Sequence, residues 1–309
     1  MIDLHTHIIP DWDDGARSLA ETAEMCRLAA EDGVEAVVFT PHIFRMTNYA
    51  DNFNLLAPRV ALLLERIDEL PVKVYPGAEI FLGPDIIPKI RDFGLSINHS
   101  NYVFIEFPSE SIPPATKELL YRLMLAGFLP IISHPERNLV LAERPEILYD
   151  LVKMGCFAQV TALSLTGGFG PEVRKAAEKF LRHRLVQLIA SDAHNARERA
   201  PRLSLAVKKA GKILDPETAL AMVVEVPRAV LESKAIPDMG EPENPKKRGR
   251  FFSAGPLAAV LPHPLPSSGL LLSCYFFFTL FFPLVPSAVI FIFSFLKIFL
   301  DLPFVIFLS

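Results

Sequence analysis

Seven short apolar runs, separated by helix-forming stretches within the first 235 residues, most constrain what this chain can fold into. They are "MIDLHTH" (1–7), "VEAVVFTPH" (34–42), "VKVYPGAE" (72–79), "YVFIEFP" (102–108), "FLPIISHPER" (128–137), "FAQVTA" (157–162) and "LVQLIASDAH" (185–194). "SLAETAEMCRLAAEDG" (18–33) reads as a helix, with Ser18 and Glu21 at capping-box spacing and Gly33 as a stop. "PATKELLYRLMLAG" (114–127), "RPEILYDLVKMG" (144–155) and "EVRKAAEKFLRH" (172–183) read the same way. Strands alternating with helices build a parallel sheet covered by helices, as a barrel or an open doubly wound sheet. No GxGxxG or GxxxxGK[ST] loop accompanies a strand, so a dinucleotide or P-loop site lacks its central feature.

The polar residues fall at the ends of these runs. In "MIDLHTH", His5 and His7 are two apart and share one strand face. Alone, such a pair is most simply a polar strand end facing water. The other strands change that assessment: they lead to His42, Glu79, Glu106, His134, Asp192 and His194, while Asp14 in "DWDDG" reaches toward the same rim from the first loop. In a βα barrel these ends converge on one face, where active sites are built. Carboxylates packed this densely repel one another unless cations sit among them. Imidazole and carboxylate together suit two or three divalent ions, with manganese, iron, zinc or cobalt all compatible with the donor types.

The ordered set "DLHTHIIPDWDDGARS", "FTPH", "GAEIF", "IEFP", "ISHPERN" and "SDAHN" resembles the PHP (polymerase and histidinol phosphatase) superfamily. Within it, the chain resembles the bacterial metal-dependent protein-tyrosine phosphatases of the CpsB/YwqE type, over residues 1–235. The resemblance implies an α/β fold, a distorted (β/α)7 TIM-like barrel, with a trinuclear centre and Mn²⁺ as the usual ion. One metal would take His5, His7, Glu79 and Asp192. A second would share Glu79 and add Glu106 and His134, and a third would take His42, His194 and Asp14. Arg137 in "HPERN" and Arg199 after "SDAHN" would clamp the phosphate, with Arg197 close to the second position. The implied reaction is in-line hydrolysis of phosphotyrosine by a metal-activated water. The implied substrate is the tyrosine-rich C-terminal tail of a bacterial tyrosine autokinase that controls capsule or exopolysaccharide export. The family is expected to carry Asn where Thr161 stands.

Other features narrow the function. The net charge of −4 gives no nucleic-acid-binding surface. The residue six positions after Cys26, Cys156 and Cys274 is Asp32, Ala162 and Leu280, so no C-x5-R loop of a cysteine-dependent phosphatase exists. Trp12 is either a mouth residue or a local packing anchor, and His99 and His183 read as surface or packing residues. Two rivals remain open: a small-molecule phosphomonoesterase of the histidinol-phosphatase kind, and a membrane-tethered module that binds kinase tails without turnover. The resemblance also allows a homo-oligomer.

The expected organisation is a phosphatase domain (1–235), a Pro-rich charged linker (236–250) and a hydrophobic tail (251–309). From Phe251 to Leu296 there is no Asp, Glu, Lys or Arg. "GLLLSCYFFFTLFF" (269–282) and "SAVIFIFSFLKIFL" (287–300) are each short of the roughly 20 residues a span needs, but together, from Leu265 to Leu296, could form one kinked span or a short re-entrant hairpin. "KKRGR" (246–250) would then hold the catalytic domain on the cytoplasmic side. The alternative is that the tail is an out-of-frame extension, leaving a cytoplasmic protein.

Overall fold

Every one of the seven apolar runs contains extended backbone in the computed structural model, which describes residues 1–43 and 53–246. The first is β1 (Ile2–Thr6), followed by α1 (Leu19–Glu31). Ser18 Oγ accepts the Glu21 N–H at 3.2 Å, as the capping spacing predicts, but the Glu21 carboxylate takes the N–H of Arg17 instead of that of Ser18. The second run splits into β2 (Ala36–Phe39) and β3 (His42–Ile43), and after α2 (Phe53–Leu64) the third splits into β4 (Lys73–Pro76) and β5 (Glu79–Phe81). There follow α3 (Ile86–Phe93), β6 (Tyr102–Glu106), α4 (Thr116–Leu125), β7 (Leu129–Ser133), α5 (Leu139–Glu143), α6 (Pro145–Met154) and β8 (Phe157–Thr161). The chain continues with α7 (Ala162–Thr166), α8 (Pro171–Arg182), β9 (Leu188–Ala190), α9 (Ser204–Ala210), α10 (Pro216–Ala221) and α11 (Glu225–Leu231).

All pairings are parallel, in two sheets of order β1-β2-β4 and β3-β5-β6-β7-β8-β9. This corrects the expectation of one closed seven-stranded ring. Pro41 has no N–H to give a ladder, and a Cβ at Gly77 would lie 2.8 Å from Val38 Cγ1, so strands two and three both change sheets at these points. First and last strands still meet, at an isolated parallel bridge between Thr6 and Ala193.

The smaller of two core clusters explains where the site lies. It gathers alternate strand residues, among them Tyr102 and Phe104 of β6 and Leu188 of β9, and is covered by Val226 and Val230 of α11. The same alternation carried two residues past Phe104 reaches Glu106 at the end of β6. One strand face therefore runs from apolar packing into an ionisable group. On β1 the pairing slips by one residue between Asp3 and Thr6. Leu4 belongs to the cluster containing Phe104, and the His5 ring lies 4.9 Å from that of Phe104. Consecutive residues can reach the same side only because the bulge interrupts the alternation.

Residues 236–246 form no helix or strand and lie against the domain. Met239 packs on both cores, the Glu243 N–H donates to the His183 carbonyl at 2.8 Å, and Lys246 pairs with Glu146 at 2.9 Å. The rest of the expected linker and the whole 251–309 tail lie outside the described residues, and with them both readings of the tail. No helix among the described residues is long and apolar enough to cross a membrane.

Candidate metal centre

The residues singled out at the strand ends come together. His5 and His7 from β1 and its exit, His42 from β3, Glu79 from β5, Glu106 from β6, His134 after β7, and Asp192 and His194 after β9 are all buried. Asp14 joins from the first loop with its side chain 59% exposed, so the cluster opens on that side. Glu79 lies at the centre. His42 Nδ1 approaches its Oε2 and His134 Nε2 its Oε1, each at 2.9 Å, and His5 Nε2 is 3.4 Å from Oε2. Asp192 Oδ1 lies 3.4 Å from His5 Nε2 and 3.3 Å from His7 Nε2. Asp14 Oδ1 is 3.3 Å from the Nε2 atoms of both His42 and His194.

Three groups have donor atoms close enough to share one ion: His7, Asp14, His42 and His194; His5, His7 and Asp192; and His42, Glu79 and Glu106. His7 and His42 each stand in two of them. Backbone strain accompanies the arrangement, because His134 and Asp192 both have left-handed backbones, with φ of 33° and 52°. Each costs roughly 1–3 kcal/mol for a non-glycine residue and persists only where the surroundings enforce it. For Asp192 the N–H bond to the His5 carbonyl, 2.9 Å, is one such restraint.

Proton positions follow from the partners on the outer side of each ring. His7 Nδ1 is 2.9 Å from Asp13 Oδ2, and a carboxylate can only accept, so Nδ1 carries the proton. His194 Nδ1 likewise donates to the Asp192 carbonyl at 2.9 Å. Gln159 gives its amide N–H₂ to Thr161 Oγ1 (3.5 Å), which turns its oxygen toward His5 Nδ1 at 3.1 Å. In these neutral tautomers all three rings direct bare Nε2 lone pairs inward. The Nε2 atoms of His5 and His7 lie only 3.2 Å apart. Among the described residues, both oxygens of buried Glu79 have only imidazole nitrogens, His42 Nδ1 and His134 Nε2, at 2.9 Å. Acceptors facing acceptors among buried side chains fit divalent cations.

The electrostatics agree. Burial disfavours charge on His7, but Asp13 outweighs it and raises the imidazole to about 9, so with no cation beside it the ring takes a second proton on Nε2, which a metal ion would have to displace to reach the lone pair. Burial, with Arg137 and His7 respectively, lowers His134 and His194 to about 4, leaving both neutral and able to ligate. Burial works against ionisation of Glu79 and Asp192, but the surrounding histidines keep both carboxyls well below their usual range.

Arg137, in the turn after His134, and Arg199 both donate to Asp192 Oδ2, the latter at 2.7 Å. Arg197 is exposed, and its N–H donates to Asn195 Oδ1. Trp12 is a packing anchor: it is buried, and its indole N–H donates to the His42 carbonyl at 3.2 Å.

Several supporting residues were not singled out from the sequence. Asp13 holds His7 and also accepts the His42 N–H at 3.0 Å. Gln159 orients His5; its signal was an amide two positions before Thr161 on the same strand face. Buried Asp3 accepts the Ser191 N–H at 2.9 Å, tying β1 to the Asp192 turn. Glu136 accepts from the Thr161 N–H (2.9 Å) and Ser164 Oγ (2.6 Å), fastening the Arg137 turn to α7.

The comparisons with known proteins converge. Residues 1–232 match the family model for capsular polysaccharide synthesis, CpsB/CapC. The chain is 33% identical to the tyrosine-protein phosphatase YwqE of Bacillus subtilis over 82% of its own length and 99% of that protein. It is 37% identical to the putative tyrosine-protein phosphatase CapC of Staphylococcus aureus, over 64% of this chain and 79% of that one. Among solved structures it superposes on one from a study of YwqE from Bacillus subtilis and CpsB from Streptococcus pneumoniae, described as unique metal-dependent tyrosine phosphatases. That match has a TM-score of 0.72 and 32% identity, and covers 80% of this chain and 100% of that one. The chain belongs to the CpsB/CapC family.

Proposed function

We infer that this protein is a metal-dependent phosphotyrosine-protein phosphatase of capsule or exopolysaccharide synthesis. The observation that carries this is a buried cluster of inward-facing acceptors flanked by two arginines, in a chain of the CpsB/CapC family. The ligands we assign are His5, His7, Asp14, His42, Glu79, Glu106, His134, Asp192 and His194, holding two or three ions, with Mn²⁺ as the proposed one. We take the framework as a distorted barrel of the PHP type, its two sheets joined at the Thr6–Ala193 bridge.

The ions, when bound, supply the Lewis acidity that polarises the phosphoryl oxygens and generates the nucleophile from water. The remaining work falls to the chain's own groups. Asp13, Gln159 and the Asp192 carbonyl fix the tautomers of His7, His5 and His194 so that each presents a lone pair inward. Arg137 and Arg199 grip phosphate oxygens and carry the charge that develops in the transition state. Tyrosine leaves as a phenolate of pKa about 10, so a strong general acid is less necessary than for an alkyl ester. Neither described cysteine suits nucleophilic chemistry, because burial pushes the Cys26 and Cys156 thiols up to about 12.

The proposed substrate is the phosphorylated C-terminal tail of a bacterial tyrosine kinase, reached at the membrane if 251–309 acts as a tether. The test strips the full chain with chelator and follows hydrolysis of a phosphotyrosyl peptide and of histidinol phosphate, with and without Mn²⁺. Peptide turnover restored by metal and lost in His5→Ala is the expected result. A folded, metal-loaded protein inert on the peptide overturns the proposal, and turnover of histidinol phosphate alone moves it to a small-molecule phosphatase.

A further inference from the structure

Between α7 and α8 the chain reads Gly167-Gly168-Phe169-Gly170. The backbone requires glycine at two of these positions, and the third leaves space that the Leu163 side chain fills. Gly167 and Gly170 have φ of +94° and +91°, and a Cβ on Gly168 would lie 2.4 Å from Leu163 Cδ1. These constraints fix the loop around a single aromatic side chain. Its ring lies under both arginines of the site: the guanidinium carbon of Arg137 is 4.8 Å from the ring centroid and that of Arg199 is 5.7 Å away.

We propose that Phe169 is a positioning residue for phosphate binding, holding Arg137 and Arg199 as a pair beside the metal cluster through cation–π contact. This rests on the phosphatase function proposed above. Both guanidiniums donate to one carboxylate oxygen, Asp192 Oδ2. Asp192 is itself a candidate metal ligand, so its charge is shared. Arg199 Nε, buried, has no hydrogen-bond acceptor among the described residues. The ring therefore supplies a hold on both cations that does not draw on Asp192. The loop is also tied to the Arg137 turn, because Glu136 beside Arg137 bonds Thr161 and Ser164 at the start of α7. The element that presents Phe169 and the turn that presents Arg137 are thus one connected unit.

The test compares Phe169→Ala, Phe169→Leu and Phe169→Tyr in the full, Mn²⁺-loaded chain, measuring binding of inorganic phosphate by calorimetry. Leucine keeps the apolar volume without a π face, whereas tyrosine keeps the π face. Alanine and leucine are expected to weaken phosphate binding by roughly tenfold, with tyrosine restoring it. Equal binding by the leucine and tyrosine variants, or no loss in alanine, overturns the inference. Phosphate binding that follows the series, in a protein inert on phosphotyrosyl peptide, retains the inference and sinks the phosphotyrosine assignment.

Discussion

Replacing Asp13 tests the logic of the centre, because this carboxylate is not itself assigned as a ligand. It holds three N–H donors: His7 Nδ1–H at 2.9 Å and the His42 N–H at 3.0 Å, both on Oδ2, and the Gly15 N–H at 2.9 Å on Oδ1. Asp13→Asn removes the charge that favours proton donation from His7 and turns an amide N–H₂ toward at least one of these donors. The Gly15 backbone lies close against His7, where a Cβ would be 2.2 Å from the carbonyl oxygen, so the loop has little room to move toward His7 in compensation. Asp13→Ala removes all three bonds. Loss of such an orienting carboxylate lowers metal affinity by about 10–100-fold, or ~1.4–2.7 kcal/mol, with asparagine near the lower bound and alanine near the upper. Competition with a chromophoric chelator for Mn²⁺ measures this on the full chain, and Asp11→Asn, in the same loop but exposed and with a side chain that tolerates the left-handed backbone there, serves as the unchanged control. An Asp13→Ala protein that binds Mn²⁺ within twofold of wild type would show that tautomer control by Asp13 is not what prepares the site.

Gly15→Ala should cost about 1–3 kcal/mol and weaken metal binding, because the added methyl meets the His7 backbone; unchanged urea denaturation and Mn²⁺ affinity would contradict the close packing described. Phe180→Ala empties a fully buried position on α8 and should lower unfolding free energy by about 3–5 kcal/mol, whereas a loss below ~1 kcal/mol would mean that the core closes over the gap. Iodoacetamide applied to the native protein should leave Cys26 and Cys156 unlabelled and peptide hydrolysis intact, as their depth and raised thiol pKa require. Mass spectrometry showing alkylation of either in step with activity loss would return cysteine chemistry to consideration.

The architecture was legible where a local rule carries it. All seven apolar runs became strands, α1 begins after Ser18 as its cap predicts, and Gly155 ends α6 in the left-handed conformation expected of a helix stop. The break of strands two and three into separate sheets was not legible. Pro41 and Gly77 were visible as residues, but which partner each strand segment meets depends on how the sheets pass one another. The candidate ligands were legible for a similar reason, since strand ends in a parallel α/β fold point to one face. Asp13 and Gln159 were not, because whether an acid or amide meets the outer nitrogen of a histidine depends on a few tenths of an ångström in tertiary packing.

The sequence by itself determined that the chain forms parallel strands with helices between them, and which side chains stand at their ends, because periodicity and chain direction dictate both. Only the tertiary structure decided how those side chains face one another. The bulge in β1 brings His5 beside Phe104, the left-handed turns at His134 and Asp192 direct both into the cluster, and the glycine-built loop brings Phe169 under two arginines. Each results from contacts between segments distant in the chain, whose energies depend on separation and orientation in space, which local patterning does not encode.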